Sequence, residues 1–525
     1  MSTFPWVTVI GAIPLAGLVL VLFTPKERDE EIKRTALGAS IVALIASIWM
    51  AAAFHSHGAQ FQFVQSYDWI KAFGAHYEVG VDGIALALIL MTTVLTPVII
   101  LSSWHEADDG RHSSRTFFAL LLATEAIVVG VFGSLDVFFF YVLFEAMLIP
   151  IYFLIGSYGG PRRSYAAVKF LLYSLAGGLL MLVAVIGLFV VSKHQLGHGT
   201  FDFRVLSTQL HLSHNEQIAL FLGFFIAFAI KAPLWPFHTW LPDAAAEAPT
   251  GVAVMLVGVL DKVGTFGFLR YCIPMFPDAA RTLAPYILGL CVTGILYGAL
   301  LAVGQRDMKR LVAYSSVSHF GFIALGVFAF TSQGGSGATL YMVNHAFSTG
   351  ALFLVVGFLA TRRGSRFIDD FGGASSVAPW LGAMFLIAGL SALSLPGLST
   401  FVSEFLVLVG TFTVHRWFAV VATFGIVLAA VYVLWMVQRT IHGPVREGVE
   451  NMRDLNLREA WVIGPVMAVI VVLGVYPKPL LDVINPAVHS SFTKVRPHDP
   501  APSRPPSVNV GFFSYEPLNS SGGTP

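Results

Sequence analysis

Six ionisable residues stand in stretches that are otherwise apolar. Glu145 lies in DVFFFYVLFEAMLIPIYFLIG, Lys231 in FLGFFIAFAIKAPLW, Lys262 in GVLDKVGTFGFLR, His319 in YSSVSHFGFIALG, His345 in YMVNHAFSTGALF and Glu404 in LPGLSTFVSEF. Holding a charge at the middle of a hydrocarbon layer costs roughly 2.5–3.5 kcal/mol even on lenient scales, so such a set is expected to serve a function. The residue types suit one kind of chemistry. A desolvated lysine switches between charged and neutral as a carboxylate approaches or withdraws, and a histidine passes protons through either ring nitrogen. The set can carry protons and has no evident chemistry for an organic substrate.

Lys231 is the member whose surroundings say most. It lies about fourteen residues into a segment that begins near residue 217, so a rise of ~1.5 Å per residue places it roughly 21 Å deep, near the middle of a ~30 Å layer. Pro233 and Pro236 follow it and lack N–H groups, which predicts a broken helix with the carbonyls of Ala229 and Ala232 left without helical partners. Pro396, in LSLPG, predicts a second break eight residues before Glu404.

The elements that must position these residues follow from composition. The chain has 525 residues, 56% hydrophobic and 12% charged, and reads as an all-α polytopic membrane protein. Apolar stretches of ~17–25 residues predict about fourteen transmembrane helices, with helix seven (217–241) and helix twelve (378–411) broken. The first apolar run has no basic residue before it and no small-residue cleavage site after it, so it reads as a retained helix. Lysines and arginines fall predominantly in the connections that lie inside if the N-terminus is outside, which puts both termini on the outer side.

Spacing suggests duplication. Glu145 and Lys231 are 86 residues apart and His319 and Glu404 are 85 apart, each pair running from mid-helix to a proline-broken helix two segments later. An odd helix count per unit inverts the second copy, the arrangement of two inverted five-helix repeats. The resulting division is 1–110 for three N-terminal helices, 111–275 and 276–440 for the repeats, 441–480 for a C-terminal helix and 481–525 for a flexible or surface-draped tail rich in Pro, Ser and Gly.

Other features carry less. Glu145 with Lys231 also reads as a structural ion pair, and His319 and His345 as satisfied core histidines. Asp261 points roughly 100° from Lys262 on an α-helix and reads as a packing hydrogen-bonder; Glu125 reads as a possible helper of Glu145. His194, His198, His211 and His214 fall in an outer loop and read as solvated, with no metal site expected. Cys272 and Cys291 lack the spacing of a cluster site. A net charge of +1 leaves no footprint for nucleic acid, and no phosphate-binding glycine motif is present.

The motifs FFFYVLFEAMLIPIYFLIGSYGG, FAIKAPLWPFHTWLPDAAAEAPTGVAVML, KRLVAYSSVSHFGF and LPGLSTFVSEF, in this order across about residues 80–440, resemble the antiporter-like membrane subunits of respiratory complex I, the proton-pumping NADH:quinone oxidoreductase. Within them the chain is most similar to the M-type group, which includes mitochondrial subunit four. Glu404 occupies the broken-helix position where sister subunits and multisubunit sodium/proton antiporters carry lysine, and Thr349 stands where the distal sister has one. The resemblance implies Lys231 as central proton carrier tuned by Glu145, continuation through Lys262, His319 and, less directly, His345, and passage or release at Glu404. It implies other membrane-arm subunits as partners, especially two sister antiporter-like subunits, in a bacterial plasma membrane. FMN, iron–sulfur clusters, NADH and quinone would be bound by partners, and none by this chain. A subunit of a multisubunit cation/proton antiporter is the alternative.

Overall fold

The computed structural model describes residues 4–107, 113–496 and 498–499; the tail expected beyond 499 falls outside them. Two lipid-type helices, Trp6–Phe23 (α1) and Asp29–Ala53 (α2), precede an antiparallel hairpin of Gln62–Ile70 (β1) and Ala75–Val81 (β2). Then come Gly83–Ser102 (α3), Ser114–Gly133 (α4), Val137–Ala146 (α5), Leu148–Tyr158 (α6), Arg163–Leu196 (α7), the short Phe203–Gln209 (α8), His214–Lys231 (α9) and Trp240–Glu247 (α10). The helical stretch Thr250–Met275 (α11) leads to Pro277–Val303 (α12), Met308–Phe328 (α13) and Ser332–Arg363 (α14). Pro379–Ala392 (α15), Ser399–Phe412 (α16), Arg416–Ile441 (α17), Leu457–Val475 (α18) and Lys478–Phe492 (α19) complete the chain. Among the described residues twelve helices are long and apolar enough to cross a membrane, counting the kinked pair α5 and α6 as one.

Two departures from the sequence reading are local. The hairpin interrupts an otherwise all-helical chain where a loop was expected, and aromatic cross-strand pairing, Tyr67 opposite Tyr77 with ring centroids 6.3 Å apart, supports it. The tail expected from 481 begins inside α19. This helix turns Ile484, Ala487, Val488, Ser491 and Phe492 inward against α3 and α14, and such one-sided burial is what holds a short helix in place.

The polar residues sit on the most enclosed helices. The central windows of α11 and α14 are 100% buried and that of α13 is 94% buried, whereas α1 reaches only 28%. Lys262, His345 and His319 therefore lie in the protein interior and away from the lipid face. Close backbone approach makes this possible: a Cβ on Gly264 of α11 would lie 2.5 Å from the Phe228 carbonyl oxygen and 2.7 Å from the Ala232 nitrogen. Only glycine lets α11 lie directly on the end of α9.

Three breaks interrupt the helices, each with a proline. Pro150 cannot coexist with an α-helical carbonyl four residues back, and α5 ends there, at Ala146, one residue past Glu145. The chain leaves α9 at Lys231 and crosses residues 232–239 as turns before α10. Here the expected free carbonyl of Ala229 is not free: the Leu234 N–H donates to it at 2.9 Å, and the Ile230 carbonyl accepts from the Trp240 indole at 2.8 Å. The turn curls back on the helix end and re-pairs the Ala229 and Ile230 carbonyls, while no hydrogen bond among the described residues reaches the Ala232 carbonyl, the second one expected to be released. The break around Pro396 closes in the same way, with Leu395 N–H donating to Leu390 at 3.1 Å, and Ser394 and Gly397 adopt positive φ.

The two ends of the bundle are polar. At one, Asp243 of α10 accepts from Lys169 and Arg310 at 2.7 Å each, and Arg366 joins Glu247 at 2.9 Å and Asp307 at 2.7 Å. This basic end ties α10 to α7 and to the start of α13. At the hairpin end, Arg204 serves both Asp202, at 2.9 Å, and Glu78, by a short contact. Burial first, and the nearby Asp202 charge second, outweigh that guanidinium and push the Glu78 carboxyl up to about 7.

A side chain larger than hydrogen at Gly264 has backbone to displace, so Gly264→Val is expected to abolish recovery of folded protein from membranes, as judged by size-exclusion chromatography in detergent. Gly289→Ala, with nothing within 4 Å of its Cβ, should leave recovery unchanged. Because the folded pKa of Glu78 is raised, its stabilising contribution is complete below the ordinary carboxylate range and is lost as pH rises through about 7. Hydrogen exchange in the hairpin should therefore quicken between pH 5 and pH 8 beyond its intrinsic pH dependence, and Glu78→Gln should remove that excess.

Candidate functional site

Glu145 ends α5 and points at α7, where Gly178 makes room for it: a Cβ there would fall 1.6 Å from the carboxylate Oε1. Lys231 ends α9, 1% exposed, with its ammonium over the faces of Phe144 at 5.0 Å and Phe170 at 5.5 Å. Neither Lys231 Nζ nor Glu145 Oε1 has a hydrogen-bond partner among the described residues, and no ion pair joins them. They are electrostatic neighbours held apart, so the structural ion pair considered from sequence is not made. His238, within the turn after Lys231, is also buried with its Nδ1 unpartnered.

On the other side the residues touch. Lys262 donates to the Val257 carbonyl by a short bond and lies 2.7 Å from His345 Nδ1, over the ring of Phe320 at 5.0 Å. An ammonium donates to that nitrogen, which places the His345 proton on Nε2. The His345 ring meets His319 edge to face with centroids 5.3 Å apart. His319 Nδ1 lies 2.6 Å from the Tyr341 hydroxyl, which donates to Glu404 Oε2 at 3.1 Å; Ser394 also donates to that oxygen. With Tyr341 donating to Glu404, the His319 Nδ1–H donates to the phenol oxygen. A single hydroxyl thus receives from a histidine and gives to a carboxylate, the geometry of a proton relay.

Sequence reasoning missed Tyr341 and Ser394. A tyrosine in an apolar helix reads as core, and only its position one turn before His345 on α14 hints otherwise. Ser394 enters because the Pro396 break turns it inward, with φ +61°. The reading of Asp261 as a packing hydrogen-bonder also fails. It is 0% exposed and both its carboxylate oxygens lack hydrogen-bond partners among the described residues. A π-helical turn over Leu256–Leu260 runs up to it and places the Asp261 N–H on the Leu256 carbonyl at 3.2 Å. The step of about 100° to Lys262 stands, and what it leads to is a buried face with no hydrogen-bonding partner for the carboxylate among the described residues. Glu125 is buried with both oxygens unpartnered, and no contact described joins it to Glu145. His194, His198, His211 and His214 are exposed, and Cys272 and Cys291 are buried and free.

Comparison with known proteins places this arrangement. Residues 134–429 match the family model described as NADH:quinone oxidoreductase/Mrp antiporter, TM. The chain is 50% identical to NADH-quinone oxidoreductase subunit M of Mycobacterium tuberculosis, over 96% of this chain and 97% of that protein. It is 37% identical to NADH-ubiquinone oxidoreductase chain 4 of Marchantia polymorpha, over 91% and 94%. Its backbone is similar to a chain of respiratory complex I from Thermus thermophilus with bound NADH, with TM-score 0.84 and 30% identity over 93% of this chain and 100% of that one. The chain therefore belongs to the NADH:quinone oxidoreductase/Mrp antiporter transmembrane family, on the branch of NADH-quinone oxidoreductase subunit M and chain 4.

Proposed function

We propose that this chain translocates protons as a membrane-arm subunit of NADH:quinone oxidoreductase, driven by electron transfer from NADH to quinone in other subunits. The observation that carries the reading is the row of side chains Lys262, His345, His319, Tyr341 and Glu404 across α11, α13, α14 and α16 in the most buried part of the bundle, hydrogen-bonded from Lys262 to His345 and from His319 through Tyr341 to Glu404, with the two histidines meeting by ring contact between them. Lys231 is the central carrier and Glu145 its counter-charge. The proton reaches Lys262 and then the histidines, and Glu404 passes or releases it.

The same reading extends to the architecture. The split pairs α9 with α10 and α15 with α16 each count as one crossing, which brings the twelve long spans to fourteen. The i to i−5 backbone closure shared by the two proline breaks supports two inverted repeats, 111–275 and 276–440, after three helices in 1–110 and before a helix in 441–480. The concentration of basic residues at the Asp243 end supports that end as cytoplasmic, with both termini on the outer side of a bacterial plasma membrane. The partners are two sister antiporter-like subunits. The flavin, the iron–sulfur clusters, NADH and quinone belong to other chains, since two separate buried cysteines cannot supply a cluster's four thiolates.

A cation/proton antiporter subunit is the second reading, favoured by the family description alone. The carboxylate Glu404 at the second break, where the antiporters carry lysine, argues against it. Sodium-dependent transport by the assembled complex without NADH would reverse this choice.

In vesicles holding the assembled complex, Lys231→Ala is expected to lower NADH-driven proton transport at least about tenfold, and Glu145→Gln to do the same while Glu145→Asp keeps part of it. Wild-type pumping by an assembled Lys231→Ala complex would remove the carrier role. Tyr341→Phe keeps the ring and deletes the relay hydroxyl, so pumping should again fall by roughly tenfold with assembly intact; unchanged pumping would mean that water, and no tyrosine, joins His319 to Glu404.

A further inference from the structure

Among the described residues Asp261 is the carboxylate whose charge acts on both lysines, and the path described above does not use it. Its place is fixed by packing. It lies three residues before Gly264, on the same face of α11, and that face rests on the backbone of Phe228 and Ala232, the residues that bracket Lys231. The next residue, Lys262, lies about 100° further round the helix and reaches His345 and Phe320. Two consecutive residues therefore serve two different neighbours, just after a π turn over Leu256–Leu260. The carboxylate is completely buried, both oxygens lack partners among the described residues, and its charge acts on Lys231 as well as on Lys262. A buried carboxylate without a hydrogen bond is costly and is kept where another charge compensates it.

We propose that Asp261 is a positioning residue, the counter-charge shared by Lys231 and Lys262, whose carboxylate leans toward whichever of the two holds the proton. This rests on the proton-carrier reading above. In the step it assists, a proton leaves the Lys231 ammonium and arrives on the neutral Lys262 amine, and Asp261 stays ionised throughout. One negative charge between two amines favours a single excess proton on the pair. Leaning toward Lys262 draws the proton forward, and Glu145 then holds the next proton arriving at Lys231. The elements packed against this part of α11 also carry Glu125 on α4 and Tyr341 and His345 on α14, with Arg115, His214, Glu216, Arg362 and Arg363 at the ends of α4, α9 and α14; α3 contributes none.

The test uses the assembled complex in vesicles, with NADH-driven proton transport followed from mildly acidic to mildly alkaline pH. Asp261→Asn removes the charge that favours both ammonium forms, so pumping should fall several-fold and its alkaline limb should move toward acid by about one pH unit, whereas Asp261→Glu should restore the rate and most of the profile. If Asp261→Asn does not assemble, Asp261→Thr supplies a neutral replacement of similar volume. An assembled neutral variant with the wild-type profile, or loss of pumping in the neutral and Glu variants alike with no shift of the limb, would overturn the proposal. Lys231→Ala measured in parallel separates the failures. If that variant pumps normally, the carrier reading itself is wrong; if it does not while the neutral Asp261 variant behaves as wild type, only the shared counter-charge is wrong.

Discussion

Burying charge away from lipid is the constraint on which this structure depends. Lys231, Asp261 and Lys262 lie within one packed region where α11 crosses the end of α9, each at most 1% exposed. No surface dielectric screens them there, so the two lysines sit on seats built for them, aromatic faces for Lys231 and a carbonyl and an imidazole for Lys262, while Asp261 has no hydrogen-bond partner among the described residues. The surrounding helices are arranged so that these charges meet one another before they meet lipid. That explains why the outer helices α1, α2 and α7 present apolar side chains to the membrane while α11, α13 and α14 carry the ionisable groups.

Helix irregularity is how the backbone serves this arrangement. An uninterrupted α-helix occupies its own carbonyls and keeps its side chains at fixed 100° steps. The proline breaks end α5 beside Glu145 and α9 at Lys231, and a third precedes Glu404. The π turn in α11 does the same without a proline. Several of the displaced carbonyls are re-paired locally, as with Ala229 and Ile230 after α9, Leu390 before Pro396 and Leu256 in the π turn, which limits the cost in unsatisfied polar groups.

Much of this was legible in the sequence, because cost leaves a signature. Ionisable residues in apolar stretches are rare enough to be noticed, and prolines mark broken helices wherever they fall. Glu145, Lys231, Lys262, His319, His345 and Glu404 were found by that logic, and so were the breaks near residues 233 and 396. What escaped was whatever looks ordinary as a letter. Tyr341 reads as one more core aromatic, and its role exists only because α13 and α16 bring His319 and Glu404 to its hydroxyl. Asp261 was misjudged because the hydrogen-bonding partner a packed carboxylate should have is a matter of neighbouring helices, and none reaches it among the described residues. The hairpin and α19 were overlooked because their order comes from packing against the bundle and not from length or hydropathy. The carbonyl of Ala229 was thought free because the chain after Pro233 was imagined as leaving, when it curls back.

The aromatic seat of Lys231 has a further consequence. A hydrogen bond fixes the direction in which a proton points and must be broken before the proton can leave. The faces of Phe144 and Phe170 hold the ammonium by a quadrupole attraction of about 0.5–2 kcal/mol that has no preferred N–H direction. The group can therefore rotate about its last bond at little cost and offer its protons to either side. Such a seat holds charge without deciding where it goes. On the proton-carrier reading proposed above, Lys231 is then an unbiased junction, and the sense of flow falls to the counter-ions around it and not to the carrier.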